Sequence, residues 1–204
     1  MKFSTFKIDK KSEINKAKKS VQIMSKDDTS IFHFNNINED IIHIVFNLRD
    51  EYVWGTKIVG NQMNMPMSQY INTFVQKKTN LMFVEYINDK YSEEIAKYLM
   101  EIDIVTERMS FSSETICKIL DNYDGYIKQL EMIDPDGEDW SYEAVNTDLL
   151  KSKMKIKHTI SYLLMLSNNL FISIAKKGMI SINTSDINTL INFIEDFPYV
   201  ENNN

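Results

Sequence analysis

Residues 148–177 read DLLKSKMKIKHTISYLLMLSNNLFISIAKK, and the fold expected for the whole chain turns on them. Between Thr159 and Ala175 there is no charge, and Ile160, Leu163, Leu164, Met165, Leu166, Leu170, Phe171, Ile172 and Ile174 point in nearly every direction of a helical wheel. Such all-round apolarity predicts a buried central helix, closed by Gly178. A membrane span is set aside. The run lies at the short end of the roughly 17–25 residues that a crossing requires. Ser161, Ser167, Asn168, Asn169 and Ser173 would also be costly in hydrocarbon.

Outward from that run, MISIN at 179–183 predicts an edge strand, and Thr184 or Ser185 is expected to cap a last helix that Pro198 ends. Upstream, Ser112 caps a helix expected to run through Ile119, Tyr123, Ile127 and Leu130, with Gly125 marking a kink or a close contact. The N-terminal half reads as strands interrupted by helices. FSTFKI, SIFHF, DIIHIVFNL, YVWGTKIV and TNLMFVEYI are strand-like; SEINKAKKSVQIM, MSQYINTFVQKK and YSEEIAKYLMEIDIV are helical. Arg49–Glu51 is expected to be a hairpin turn, and Pro66 a break. Asn88 or Asp89 is expected to cap the helix that follows. Alternation puts Ile42, Ile44, Phe46 and Leu48 on one face of a strand as its core side.

The expected fold class is therefore α+β: an antiparallel or mixed sheet in the N-terminal half with helices packed on it, and a mainly helical C-terminal half around the central helix. Residues 1–105 and 106–200 form the two halves and share a core, and 201–204 form a disordered tail.

Composition agrees with a globular chain: 204 residues, 43% hydrophobic and 25% charged. The single Cys117 cannot form an internal disulfide and MKFSTFKIDKK lacks the apolar core of a signal peptide, which points to the cytoplasm. Charge is unevenly spread. Residues 79–150 hold seventeen acids against five bases, residues 1–30 eight lysines against four acids, and residues 151–177 six lysines and no acid. An acidic surface repels phosphate and attracts a basic protein face. The expected partner-binding residues are Glu93, Glu94, Glu131, Glu138 and Asp139, facing a protein partner with a basic surface.

Sites of chemistry are sparse. Asp134, Pro135, Asp136, Gly137, Glu138 and Asp139 form the densest carboxylate cluster, yet they lack a calcium loop's bidentate Glu, since the twelfth position is Val145. Asp-Pro-Asp-Gly is also an ordinary β-turn. His33 and His43 could meet on adjacent strands, but metal sites usually have three or four ligands and a catalytic pair needs an orienting carboxylate, for which Glu39 and Asp40 are the neighbours in sequence. His158 reads as a helix residue. The five glycines stand singly, so phosphate-binding glycine loops are absent, as are C-x-x-C, H-E-x-x-H and G-x-S-x-G.

No catalytic, cofactor-binding or metal residue is therefore expected, and no cofactor. Met63, Met65 and Met67 around Pro66 could form an adaptable binding surface or tuck into the core. Nucleic-acid binding through the N-terminal lysines is opposed by the acidic total and by only two arginines, Arg49 and Arg108. The expectation is a small cytoplasmic binding or regulatory protein without catalysis, off the membrane and acting through a protein partner, as in host–phage or toxin–immunity conflict. A metal-dependent hydrolase or nuclease with dispersed carboxylates and a nucleic-acid-binding regulator are the alternatives.

Overall fold

The computed structural model describes residues 1–10, 12–21, 28–55 and 62–198. The expected tail at 201–204, the end of the strand expected from Tyr52 onward and the end of the first expected helix lie outside them. Along the chain come β1 (Lys2–Ile8), α1 (Lys16–Lys19), β2 (Thr29–Asn36), β3 (Ile41–Gly55), β4 (Gln62–Gln76), β5 (Leu81–Glu85), α2 (Asp89–Glu101) and β6 (Thr106–Arg108). They are followed by α3 (Ser113–Asn122), β7 (Tyr126–Ile133), β8 (Asp139–Glu143), α4 (Thr147–Lys155), β9 (Thr159–Ser167), β10 (Leu170–Ala175), β11 (Met179–Ile182) and α5 (Ile187–Glu195). The chain divides into two compact units. One is Ile8–Thr106, and the other joins Met1–Lys7 to Glu107–Asn204.

In the unit Ile8–Thr106, β2, β3, β4 and β5 lie side by side in that order, each pair antiparallel. Ile42, Ile44, Phe46 and Leu48 are buried on one face with Ile71, Val75, Met82 and Val84. The ring of Tyr98 meets Phe46 edge-on at 6.2 Å, which places α2 over this face. Asn88 caps α2, its side chain accepting from the Tyr91 N–H at 2.9 Å. On the opposite face, His43, Val45, Asn47 and Asn72 are half-buried and Tyr70 is exposed.

Three expectations here are corrected. Residues 67–78 are not a helix but largely strand β4, in which Ile71, Thr73 and Val75 are buried at every second position. Tyr70 and Phe74, four apart, satisfy the helical and the strand period equally, so their spacing could not decide. Arg49–Glu51 are not a turn: β3 runs straight through them, opposite Ser68, Met67 and Pro66. The first helix shrinks to the single turn α1, with Ala17 as its buried residue.

In the second unit the strand order is β1-β11-β10-β9-β7-β8, with β6 paired to β1. The expected central helix does not exist. α4 ends at Lys155, and the uncharged run is the antiparallel hairpin of β9 and β10. Asn168 and Asn169, at φ 49° and 63°, make its two-residue turn, the conformation that matches the twist of paired strands and that asparagine tolerates. Ile160, Leu163, Met165, Ile172 and Ile174 are buried, while Tyr162, Leu164, Leu166 and Ser173 lie half-buried on the other face. A strand pair with apolar residues on both faces fills a helical wheel as completely as a buried helix does.

The C-terminal half is thus strand-rich and not mainly helical, which overturns that part of the expected fold class. α3 stops at Asn122, and Gly125 N–H donates to Leu120 O at 3.3 Å as the chain turns into β7. β11 is an inner strand between β1 and β10, not an edge. α5 is capped by Asp186, which accepts from Thr189 N–H at 2.7 Å, and not by Thr184 or Ser185. Ser112 does cap α3, accepting from Thr115 N–H at 3.1 Å. α3 and α5 bury Ile116, Ile119, Leu120, Leu190, Phe193 and Ile194, and Tyr123 stacks on Phe193 at 5.2 Å. Among the described residues, no helix is long and apolar enough to cross a membrane.

Candidate functional site

β2 pairs β3 only over Ile42–Leu48, and β5 pairs β4 only over Thr73–Gln76. From Arg49↔Ser68 to Gly55↔Gln62, the two long strands pair only with each other among the described residues, as a two-stranded ribbon extending the sheet. Pro66 fits here because, among the described residues, no second strand flanks β4 on the side away from β3 at that point, so a proline is tolerated as on an edge strand. Met63, Met65 and Met67 occupy every second position, opposite Trp54, Tyr52 and Asp50. Met65 is 48% exposed. A lone two-stranded ribbon is marginal in water, so this arm needs an anchor at its base.

Asp50 provides it. Tyr91 Oη–H donates to its Oδ2 at 2.7 Å, Lys90 Nζ to its Oδ1 at 3.0 Å and Glu51 N–H to the same oxygen at 2.9 Å. The Tyr91 hydroxyl, then Lys90 and the Glu51 N–H, hold the Asp50 carboxyl down to about 2, and the same bond raises the Tyr91 hydroxyl. Tyr91 and Lys90 lie in the first turn of α2, so the clasp ties the ribbon to that helix. Asp28, Arg49, Asp50, Glu51, Pro66, Met67 and Ser68 line an open cavity of about 610 Å³ beside it.

The clasp predicts a pH effect. Because the folded-state value of Asp50 is depressed, its contribution is complete above the unfolded value of about 3.9 and is lost as pH falls from there through about 2. Urea unfolding should find Asp50→Asn less stable than wild type by on the order of 1 kcal/mol near neutrality, modest because the carboxylate is partly solvated. The gap should narrow as pH falls below about 4 and close below about pH 2. A gap constant down to pH 2 would show that the charge of Asp50 contributes nothing.

A second constellation crosses the open face of the same sheet. His43 Nε2 lies 3.0 Å from Asn72 Oδ1, and Asn72 donates its Nδ2–H to Glu85 Oε2 at 2.7 Å and its backbone N–H to the same oxygen at 3.1 Å. His43 stacks on Phe74 at 4.8 Å and meets the His33 ring at 6.0 Å. Burial lowers its pKa most, His33 lowers it further and the Asn72 bond opposes both. The two histidines do share a face, and the carboxylate connected to them is Glu85, which reaches His43 through Asn72. Asn72 and Glu85 escaped the sequence reading because the first was assigned to a helix. The only signal was Glu85, a charged residue closing the otherwise apolar strand LMFVE; Asn72 lies among several polar residues of β4.

The expected partner-binding residues fall in different places. Glu93 and Glu94 lie on α2, where Glu94 joins Asp28, Thr29, Lys97, Tyr98 and Glu101 around a cavity of about 240 Å³. Glu131, Glu138 and Asp139 belong to the β7–β8 hairpin of the other unit, with Glu138 and Asp139 exposed and Glu131 half-buried. The Asp134 carboxylate accepts from Asp136 N–H, Glu138 N–H and Trp140 Nε1–H, and the bond from Glu138 leads in lowering its pKa. The acidic loop is thereby a self-bonded turn. Among the described residues, no group of three or more His, Cys, Asp or Glu side chains could hold a metal ion. Cys117 is half-buried, and burial raises its thiol. Lys153 does not join the solvated lysines of α4 but lies over the rings of Tyr142 and Trp140, at 5.1 and 5.6 Å. Compared with known proteins, the chain matches no family model and no curated protein.

Proposed function

We propose that this chain is a non-catalytic cytoplasmic binding protein that engages a protein partner through the β3–β4 ribbon. The observation that supports it is the ribbon itself: strands reaching beyond their flanking partners, with methionine at every second position, anchored at the base by Asp50. Methionine side chains re-pack easily against varied apolar surfaces. Asp28, Asp50 and Glu51 outnumber Arg49 around the basal cavity, so the fitting partner carries an apolar strip flanked by lysine or arginine. The expected protein partner with a basic surface is retained, and its docking place moves to the ribbon.

Proteins captured from the native host should be purified and titrated back. Met65→Ser alters an exposed side chain, so its melting temperature should match wild type, while affinity should fall about tenfold or more, as for an anchoring residue. Binding should also weaken as salt rises. An affinity unchanged by both Met65→Ser and Glu51→Lys would reject the ribbon. If the bound species is DNA or RNA and Lys16→Glu with Lys19→Glu abolishes binding, the nucleic-acid regulator is the better reading.

A further inference from the structure

We propose that His33 and His43 together bind one divalent transition-metal ion on the open sheet face of the unit Ile8–Thr106. Asn72 sets the chemistry. Its Nδ2–H faces the Glu85 carboxylate, which can only accept, so its Oδ1 must face His43. The Nε2 of His43 is therefore the protonated nitrogen, and Nδ1 carries the lone pair. Ligating histidines are held in this way, with one ring N–H donated to a carbonyl or carboxylate that fixes tautomer and orientation. Burial favours the neutral ring, the form that a ligand must have.

The second ligand is in reach. His33 stands opposite Val45 and His43 opposite Asn35, so the two imidazoles are diagonal neighbours on adjacent strands. Their ring centroids are 6.0 Å apart. Two imidazoles sharing one ion at about 2.0–2.1 Å per bond bring their centres to about 5–6 Å. His33 is exposed and can turn to meet the ion, while stacking on Phe74 fixes His43. Two imidazole ligands with water completing the shell suit zinc or copper(II), and not magnesium or calcium, which take oxygen ligands.

Zinc and copper(II) chlorides titrated into metal-free protein should each show saturable binding of one ion per chain by calorimetry, and magnesium none. His33→Ala, a change at an exposed position that leaves the fold intact, should lower affinity at least about tenfold, as should His43→Ala, while His158→Ala should leave it unchanged. Asn72→Ala should weaken binding about 10- to 100-fold at the same stoichiometry. An isotherm unaffected by His33→Ala, or no saturable binding of either ion, would overturn the proposal. An Asn72→Ala isotherm identical to wild type would overturn the assigned role of Asn72.

Discussion

Leu163→Asp should leave the chain insoluble or unfolded, whereas Leu164→Asp, at the next residue, should fold. Leu163 is 0% exposed, and on β9 it stands between Ile174 of β10 and Leu130 of β7, both also fully buried. A carboxylate there has no partner and no water. An unpaired buried charge costs about 3–5 kcal/mol, and the lost leucine packing about 2–5 more, against a total stability of about 5–15. Leu164 is half-buried on the other face, opposite Ser173 and Gln129, where a carboxylate reaches solvent. Soluble yield and urea midpoints of the two variants decide the matter. If Leu164→Asp is as damaging as Leu163→Asp, the run does not alternate as a strand must.

The second large effect is expected at Gly178. Its φ is +73°, and a Cβ there would stand 2.1 Å from the Met109 carbonyl oxygen and 2.9 Å from its carbon. Backbone cannot yield as a flexible side chain can. The Gly178 carbonyl is moreover bound by both the N–H and the hydroxyl of Thr5, each at 2.8 Å, so any shift breaks those bonds too. Gly178→Ala should cost on the order of 4 kcal/mol or more, in the range reserved for a few named defects. Gly137, at φ +90° with nothing within 4 Å, supplies the control. There only conformational strain remains, about 1–2 kcal/mol for an alanine. Thermal melts of the two variants should differ widely, and equal losses would mean that the contact with Met109 is absent in solution.

What the sequence disclosed and what it hid follow from the same physics. Caps were legible because they are local: Asn88 and Ser112 each bond an N–H three residues on. The core side of β3 was legible because Ile42, Ile44, Phe46 and Leu48 alternate with more polar residues. Residues 159–175 were not, since β9 and β10 are apolar on both faces and alternation vanishes. The decisive mark there was the pair Asn168-Asn169, a turn dipeptide midway along a run too long for one strand. Gly125 was rightly a close contact, its Cβ position lying 2.6 Å from Met165 Sδ, yet it ends a helix instead of kinking one. The methionine cluster was visible as a spacing of two, but the register that makes it part of a ribbon was not. His43 was visible too, while Asn72 and Glu85 reach it through strand pairings that no short window contains.

The pairing of β1 with β11 orders events at the ribosome. Phe3 is buried against a strand in which Ile180, distant in sequence, stands opposite it. Everything from Ile8 to Thr106 is synthesised in between and makes a compact body of its own. β6 pairs with β1 as well and is made sooner, but at about 5–20 residues per second the side of β1 that meets β11 waits roughly ten to thirty seconds. During that interval Phe3 is an oily side chain on a nascent chain, a natural foothold for a chaperone. A chain cut short before Met179 would keep the compact unit Ile8–Thr106 but leave the Lys2–Ser4 stretch of β1 without its β11 partner.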